Sequence, residues 1–366
     1  MSQAVASAAE APPGRAPASA AAPRTTTGSE FAPLLRQVRE QGLLERRAGW
    51  YTRTVTTGLM ALGAIVYGLV ALGPTWWALL LAPPFAVVTA RMAFIGHDAG
   101  HSQITANRST GRLVQLVHAN LLLGMSQEWW NDKHNKHHAN PNHVGKDPDV
   151  APDVIVFTKD HAAGRTGFAG RLTRHQAWLF FPLTTLEGVA LKIHGFRAVF
   201  SRGGPVPPAR RTREATLLLV HVAAYVSLLV TTLSPPQALV FLLIHQMLLG
   251  LHLGMSFAPN HKGMQMPEPE VYETLGHLRK QVLTSRNIRG GVLTDWFLGG
   301  LNYQIEHHLF PSMPRPHLRL AQPLVRAYCG SLGIPYTETG LVDSYRQALA
   351  HLHEVGEPLR ADAQGN

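Results

Sequence analysis

Cysteine is nearly missing from this chain, with Cys329 the single thiol among 366 residues. That excludes an intrachain disulfide, and it excludes an iron–sulfur cluster ligated by this polypeptide alone. Acid is scarce as well, since 23 Asp and Glu stand against 33 Lys and Arg, for a formal net charge of +10. Nucleic acid is the usual partner of such an excess. Here the basic residues flank apolar runs, so anionic lipid head groups and an acidic protein partner are expected, and nucleic acid is not. Residues 1–30 consist mainly of Ala, Pro, Ser and Thr and lack the apolar core of a secretory signal. A solvated, disordered tail is expected there in preference to a transit peptide.

What the chain does have is long apolar runs. Thr54 to Gly73 carries no charge and is long enough to cross a hydrocarbon layer of ~30 Å. Leu72-Gly73-Pro74-Thr75 reads as a tight turn, after which Trp76 to Ile95 returns, with Trp76 and Trp77 at the interface and Arg91 reaching the head groups from its last turns. Ala215 to Thr232, a turn at Ser234-Pro235-Pro236, and Gln237 to Phe257 form a second hairpin. Neither turn holds Lys or Arg, whereas the flanking segments hold nearly all of them. The positive-inside rule therefore predicts that both termini, residues 96–214 and residues 258–366 are cytoplasmic, on the cell membrane if the source is bacterial. Residues 31–53, where Phe31, Leu34, Leu35 and Val38 alternate with Arg36, Arg39, Arg46 and Arg47, read as a basic amphipathic helix on the membrane surface. Leu113 to Met125 is too short to span and Ala177 to Val189 is interrupted by Pro182 and Glu187, so both are predicted to be interfacial helices.

Histidine supplies the candidate chemistry. On a helix, His97 and His101 share one face, and His134, His137 and His138 nearly share another. His307 and His308 form a third group, and the topology places all three groups on one side of the membrane. Neutral imidazole suits iron, zinc and copper. These seven residues exceed the four ligands of a tetrahedral zinc, which argues for two metal ions. Asp98, Asp132 and Glu306 are expected to accept imidazole N–H bonds and so fix the tautomers. A membrane zinc hydrolase or a metal-binding protein is the reading from a different class, and the lack of an H-E-x-x-H glutamate base stands against the hydrolase. His221, His245 and His252 lie within the second hairpin and are left out of the metal shell. His118, His143 and the remaining histidines are taken as structural or surface groups.

Written as motifs, H-D-x-x-H at His97 to His101, H-N-x-H-H at His134 to His138 and Q-x-x-H-H at Gln304 to His308 resemble the three histidine boxes of membrane fatty acid desaturases. The glutamine opening the third box resembles the front-end, or linoleoyl-CoA desaturase-like, branch. Trp129-Trp130-Asn131, Asn140-Pro141-Asn142, Lys146-Asp147-Pro148-Asp149 and Gly299-Gly300-Leu301-Asn302 agree with it, over about residues 50 to 325. The expected fold is an all-α integral membrane protein with four transmembrane helices as two hairpins and a cytoplasmic helical cap over a di-iron site. Its desaturase domain is placed at 54–325, with a cytoplasmic C-terminal segment at 326–366.

The resemblance implies two non-haem iron ions, O₂ as co-substrate, and a cis double bond introduced into an acyl chain carried by coenzyme A or a lipid. Sister hydroxylases or ketolases with the same boxes are the alternative. Relatives draw a further ligand from the end of the fourth span, so His261 is expected as an eighth, with Asn260 beside it and Gln304 behind the ligands. The chain shows no His-Pro-Gly-Gly motif of a fused cytochrome b5. No bound haem is therefore expected, and electrons are expected from a separate ferredoxin, cytochrome b5 or flavin reductase. The basic run of Lys192, Arg197 and Arg202, continued by Arg210, Arg211 and Arg213, suits a substrate phosphate or the donor, or serves only as an anchor on the membrane.

Overall fold

A computed structural model describes residues 29–361, so the tail expected at 1–30 lies almost wholly outside the described residues. Among those residues, four helices are long and apolar enough to cross a membrane. A short α1 (Phe31–Glu40) leads to the first hairpin, α2 (Ala48–Leu72) and α3 (Ala82–Gly100), the latter entered through a 3₁₀ segment at Trp76–Leu81. Gly73 makes the turn at φ +55°, a left-handed conformation that only glycine adopts without steric cost.

Next come α4 (Arg108–Leu116), a π-helical stretch (Val117–Leu123), α5 (Gln127–Ala139), α6 (Lys159–Ala163), α7 (Gly167–Arg174), α8 (Gln176–Thr184) and α9 (Glu187–Phe200). The second hairpin is α10 (Pro208–Thr232) and α11 (Pro235–His261), opened by a reciprocal cap between Ser234 and Gln237. The Gln237 amide also donates to the Pro74 carbonyl at 3.0 Å, which ties the two hairpin turns together at the end remote from the histidines.

The rest of the cap is α12 (Pro269–Thr274), α13 (His277–Leu283), α14 (Val292–Phe297), α15 (Gln304–Leu309), α16 (Arg315–Ser331), α17 (Leu341–Val355) and α18 (Glu357–Ala361). A small parallel ribbon departs from the all-helical expectation, pairing β1 (Asn287–Arg289) with β2 (Glu338–Gly340). The inner helices α3 and α11 pack through Ala86, Ala90, Phe94, Leu249 and Leu253. The outer helices α2 and α10 leave Tyr67, Val70, Val226 and Val230 exposed, as a lipid-facing surface requires.

Several boundaries differ from the sequence reading. The predicted surface helix at 31–53 is two elements, and the apolar face of α1 is not turned to lipid: Leu34 and Val38 are buried with Leu318 and Val325 of α16. Amphipathicity specifies that a face is covered but not by what. The stretch 113–125 does not lie on the interface alone, because Gln115, His118 and Asn120 are buried. The helices also outrun their apolar windows: α10 begins seven residues before the predicted span, and α11 continues to His261. The division at 325/326 falls inside α16, and Tyr345 of α17 donates to the Met255 carbonyl at 2.7 Å, so the C-terminal segment packs as part of the same body.

Candidate metal centre

α3 ends in the residues that begin the site. His97 occupies its last turn and His101 its C-cap. α5 is capped by Ser126, whose hydroxyl accepts from Trp129 N–H, and it presents His134, His137 and His138. His261 is the last residue of α11, and the single-turn helix α15 carries His307 and His308. Residues from two membrane helices and two cap helices thereby converge.

His97, His101, His134 and His307 form one group whose ring nitrogens lie within 4.8 Å of one another, and His137, His261 and His308 form a second by the same measure. His138 joins them, its ring 4.5 Å from that of His101 and 4.2 Å from that of His308. The structure thus brings all eight predicted histidines into one cage.

The ring orientations are set from behind. His97 Nδ1 lies 3.2 Å from Asp98 Oδ1, while Asp98 is held by Arg315 at 2.5 Å and by the Tyr51 hydroxyl at 3.1 Å. His137 Nδ1 lies 3.0 Å from both oxygens of Asp147. His261 Nδ1 donates to the Thr284 carbonyl at 3.0 Å, and His308 Nδ1 to Gln281 Oε1 at 2.8 Å. In each ring Nε2 is left with its lone pair turned inward.

Inward-facing nitrogens then meet at short range: His101 Nε2 to His134 Nε2 at 2.9 Å, His134 Nε2 to His138 Nε2 at 3.0 Å, and His261 Nε2 to His308 Nε2 at 3.1 Å. Lone pairs facing one another repel unless a proton or cation lies between them. Burial, reinforced by the neighbouring imidazoles, holds His101, His134, His138, His307 and His308 well below the ordinary histidine range, so protons do not fill that role near neutral pH. His97 Nε2, His138 Nδ1 and both nitrogens of His307 are buried with no hydrogen-bond partner among the described residues. A cage of imidazoles with orphaned nitrogens fits metal ions, and it does not fit an apolar ligand.

Gln304 lies against this cage. Its Nε2 is 2.9 Å from His261 Nε2, and its Oε1 accepts from Asn260 Nδ2 at 3.1 Å. Two predicted acids are placed elsewhere. Asp132 pairs with Lys136 at 2.7 Å near the surface, because it precedes His134 by two residues, about 200° round the helix and so opposite the ligand face. Glu306 touches no imidazole: it accepts from Asn287 Nδ2 and Tyr336 Oη, each at 2.7 Å, and burial pushes it up to about 7. Asn287 also accepts from Ile305 N–H at 2.9 Å, so Glu306 steadies the frame of α15.

The basic run is not a convergent patch. Lys192 turns between α9 and α11, its Nζ donating to Gln246 Oε1 at 2.9 Å, and burial lowers it to about 8. Arg197 and Arg202 are exposed. Sequence reasoning missed Asp147, Gln281 and the Thr284 carbonyl, together with Trp130, which stacks on His134 at 4.2 Å. Asp147 and Trp130 fall within motifs quoted for the resemblance, which offered a signal, whereas Gln281 offered none.

Comparison with known proteins agrees with this geometry. The sequence profile of the family described as fatty acid desaturase matches residues 74–340. A delta-8 fatty-acid desaturase of Arabidopsis thaliana is 29% identical over 84% of this chain and 70% of its own length. An acyl-lipid (9-3)-desaturase of Physcomitrium patens is 31% identical over 74% of this chain, which spans only 52% of that relative. A delta-6 fatty-acid desaturase of Caenorhabditis elegans is 27% identical over 91% of the chain and 76% of its own. With a profile spanning most of its length and a histidine cage at the ends of its membrane helices, the chain belongs to the fatty acid desaturase family, as an integral membrane oxidoreductase acting on fatty acyl chains.

Proposed function

We propose that His97, His101, His134, His137, His138, His261, His307 and His308 hold two iron ions, and that the protein uses O₂ to place a cis double bond in an acyl chain. The observation that carries this reading is the convergence of eight imidazoles, with orphaned ring nitrogens among them, where the membrane helices end. Bound iron would supply the oxidising power needed at an unactivated methylene, which no side chain of the cage possesses. Removal of two hydrogens from the chain together with reduction of O₂ to two waters takes up two further electrons and two protons. Those electrons come from a donor protein such as a ferredoxin, cytochrome b5 or flavin reductase, since imidazoles store none.

Asp98, Asp147, Gln281 and the Thr284 carbonyl fix the tautomers and aim the rings. Gln304 stays out of the coordination sphere, because its oxygen is engaged by Asn260. The cage faces the cytoplasm, in keeping with the basic segments around it. Two of the named relatives are a delta-8 and a delta-6 fatty-acid desaturase, and a front-end regiochemistry is proposed for this chain by that similarity. Expression in a host without desaturases, with mass spectrometry locating the new double bond and metal analysis of the purified chain, tests the reading. The expected result is an unsaturated product and two irons per chain; a hydroxylated chain, or zinc in place of iron, overturns it.

A further inference from the structure

Three ligands of the cage ride on α5, and the start of that helix is seated by an acid from the second hairpin. Glu214 stands in α10 just before the apolar run that begins at Ala215, and it is 1% exposed. Its helical neighbour Arg210 pairs with Glu128, and Glu214 makes no ion pair among the described residues. A buried carboxylate without a cation is costly unless donors are held to it. Three converge on it: Oε1 accepts from the Glu128 N–H at 3.0 Å, and Oε2 accepts from the Ser126 hydroxyl and from Asn120 Nδ2, the latter at 3.3 Å.

A helix leaves its first N–H groups without intrahelical partners. In α5 each of the first three has its own acceptor: Gln127 N–H donates to Asn120 Oδ1 at 3.2 Å, Glu128 N–H to Glu214, and Trp129 N–H to Ser126 Oγ at 3.2 Å. The charge of Glu214 also meets the positive end of the helix dipole. The same cluster extends toward the histidines. Gln127 Nε2 donates to Gln115 Oε1 at 2.8 Å, and Gln115 exchanges two hydrogen bonds with Asn131, three residues before His134. Gly100, next to His101, packs on that pair, since a Cβ there would lie 2.6 Å from Gln115 Nε2.

We propose that Glu214 is a positioning residue for the metal centre: its carboxylate seats the start of α5 and so sets where His134, His137 and His138 stand against the other two boxes. This role rests on the metal centre proposed above. Six residues, about 9 Å of helix, separate Glu128 from His134, so a tilt at the start is carried to the rings. Ligand geometry tolerates only ~0.5 Å of misplacement. Both oxygens of the acid must accept. An amide of the same shape cannot do this, because in Glu214→Gln an NH₂ faces Asn120 Nδ2, and Asn120 cannot turn over without losing its bond from Gln127 N–H.

The test compares the wild type, Glu214→Gln and the exchanged pair Glu214→Gln/Asn120→Asp, each as the purified full chain stripped of metal and titrated with cobalt(II). The d–d bands of bound cobalt report ligand geometry. Glu214→Gln is expected to shift those bands and to weaken cobalt binding about tenfold, the low end for groups behind metal ligands. Amide exchange through α5 of the metal-free chain should rise as well. The exchanged pair sets an acceptor opposite the new amide and should recover bands, affinity and exchange. A lower melting temperature for Glu214→Gln with wild-type bands, affinity and exchange in α5 would leave Glu214 a stabilising group only and overturns the proposal, as does failure of the pair to recover any of the three. Wild type that takes up no cobalt would overturn the metal reading, while exchange in the metal-free chain would still decide whether Glu214 seats α5.

Discussion

The two halves of the histidine cage are built by different means. In the group of His137, His261 and His308, every ring has its own acceptor behind it: Asp147, the Thr284 carbonyl and Gln281. In the group of His97, His101, His134 and His307, only His97 has such a partner among the described residues, and His134 is oriented by its stack on Trp130. His307 has no hydrogen-bond partner at either nitrogen among the described residues. One half is preorganised by hydrogen bonds. The other is held by packing, and a metal bound there, as proposed, would complete its geometry, so that its binding would also be folding free energy.

Replacing a ligand in either half should break the centre altogether. His307→Ala and His308→Ala are each expected to reduce unsaturated product by at least ~10³-fold, since a metal ligand cannot be replaced by water without loss of geometry. Gas chromatography of the acyl chains is the measurement, and wild-type product from either variant removes that residue from the ligand set. Removing metal with a chelator should lower the melting temperature and loosen the two halves unequally. Hydrogen exchange is expected to rise more in α15 around His307 than in α13 around Gln281, and equal change in both would erase the contrast.

Asp147→Asn tests the preorganised half directly. Loss of the carboxylate behind His137 should cost ~10–100-fold in metal affinity or turnover, readable by competition with a metallochromic dye. Gln281→Leu should fall at or below the low end of that range, because a neutral acceptor binds an imidazole N–H less strongly than a carboxylate does. The smallest effect is expected for Asp132→Ala. Its pair with Lys136 is an exposed i,i+4 contact worth about 0.5 kcal/mol, so activity should stay within about twofold. A large loss there would place Asp132 in the cage after all.

The histidines were legible because ligand spacing on a helix is a local property, and because charge asymmetry across two hairpins is written in short turns. The same locality explains the misses. Gln281 reaches His308 from a different cap helix, and nothing within a few residues of either announces the other. Glu306 sits next to a ligand in sequence, yet its side chain leaves on the opposite face toward Asn287 and Tyr336. Lys192 reads as one cation in a basic run, but the close approach of α9 to α11 redirects it: a Cβ on Gly250 would lie 2.9 Å from the Gly188 backbone nitrogen. The face of α1 had a legible pattern and an illegible partner, since its covering residues on α16 are far along the chain.

The distance in sequence across the cage sets a clock on its assembly. His97 to His138 leave the ribosome well before the second hairpin exists, and about 170 residues separate His138 from His307. At roughly 5–20 residues per second, the early imidazoles wait about ten to thirty seconds for the late ones. During that interval five histidines stand at the membrane surface without the residues that close over them, free to capture whatever divalent ion is at hand. Metal held by the complete cage would therefore be settled only after His307 and His308 have been made, when the last box closes over the first two.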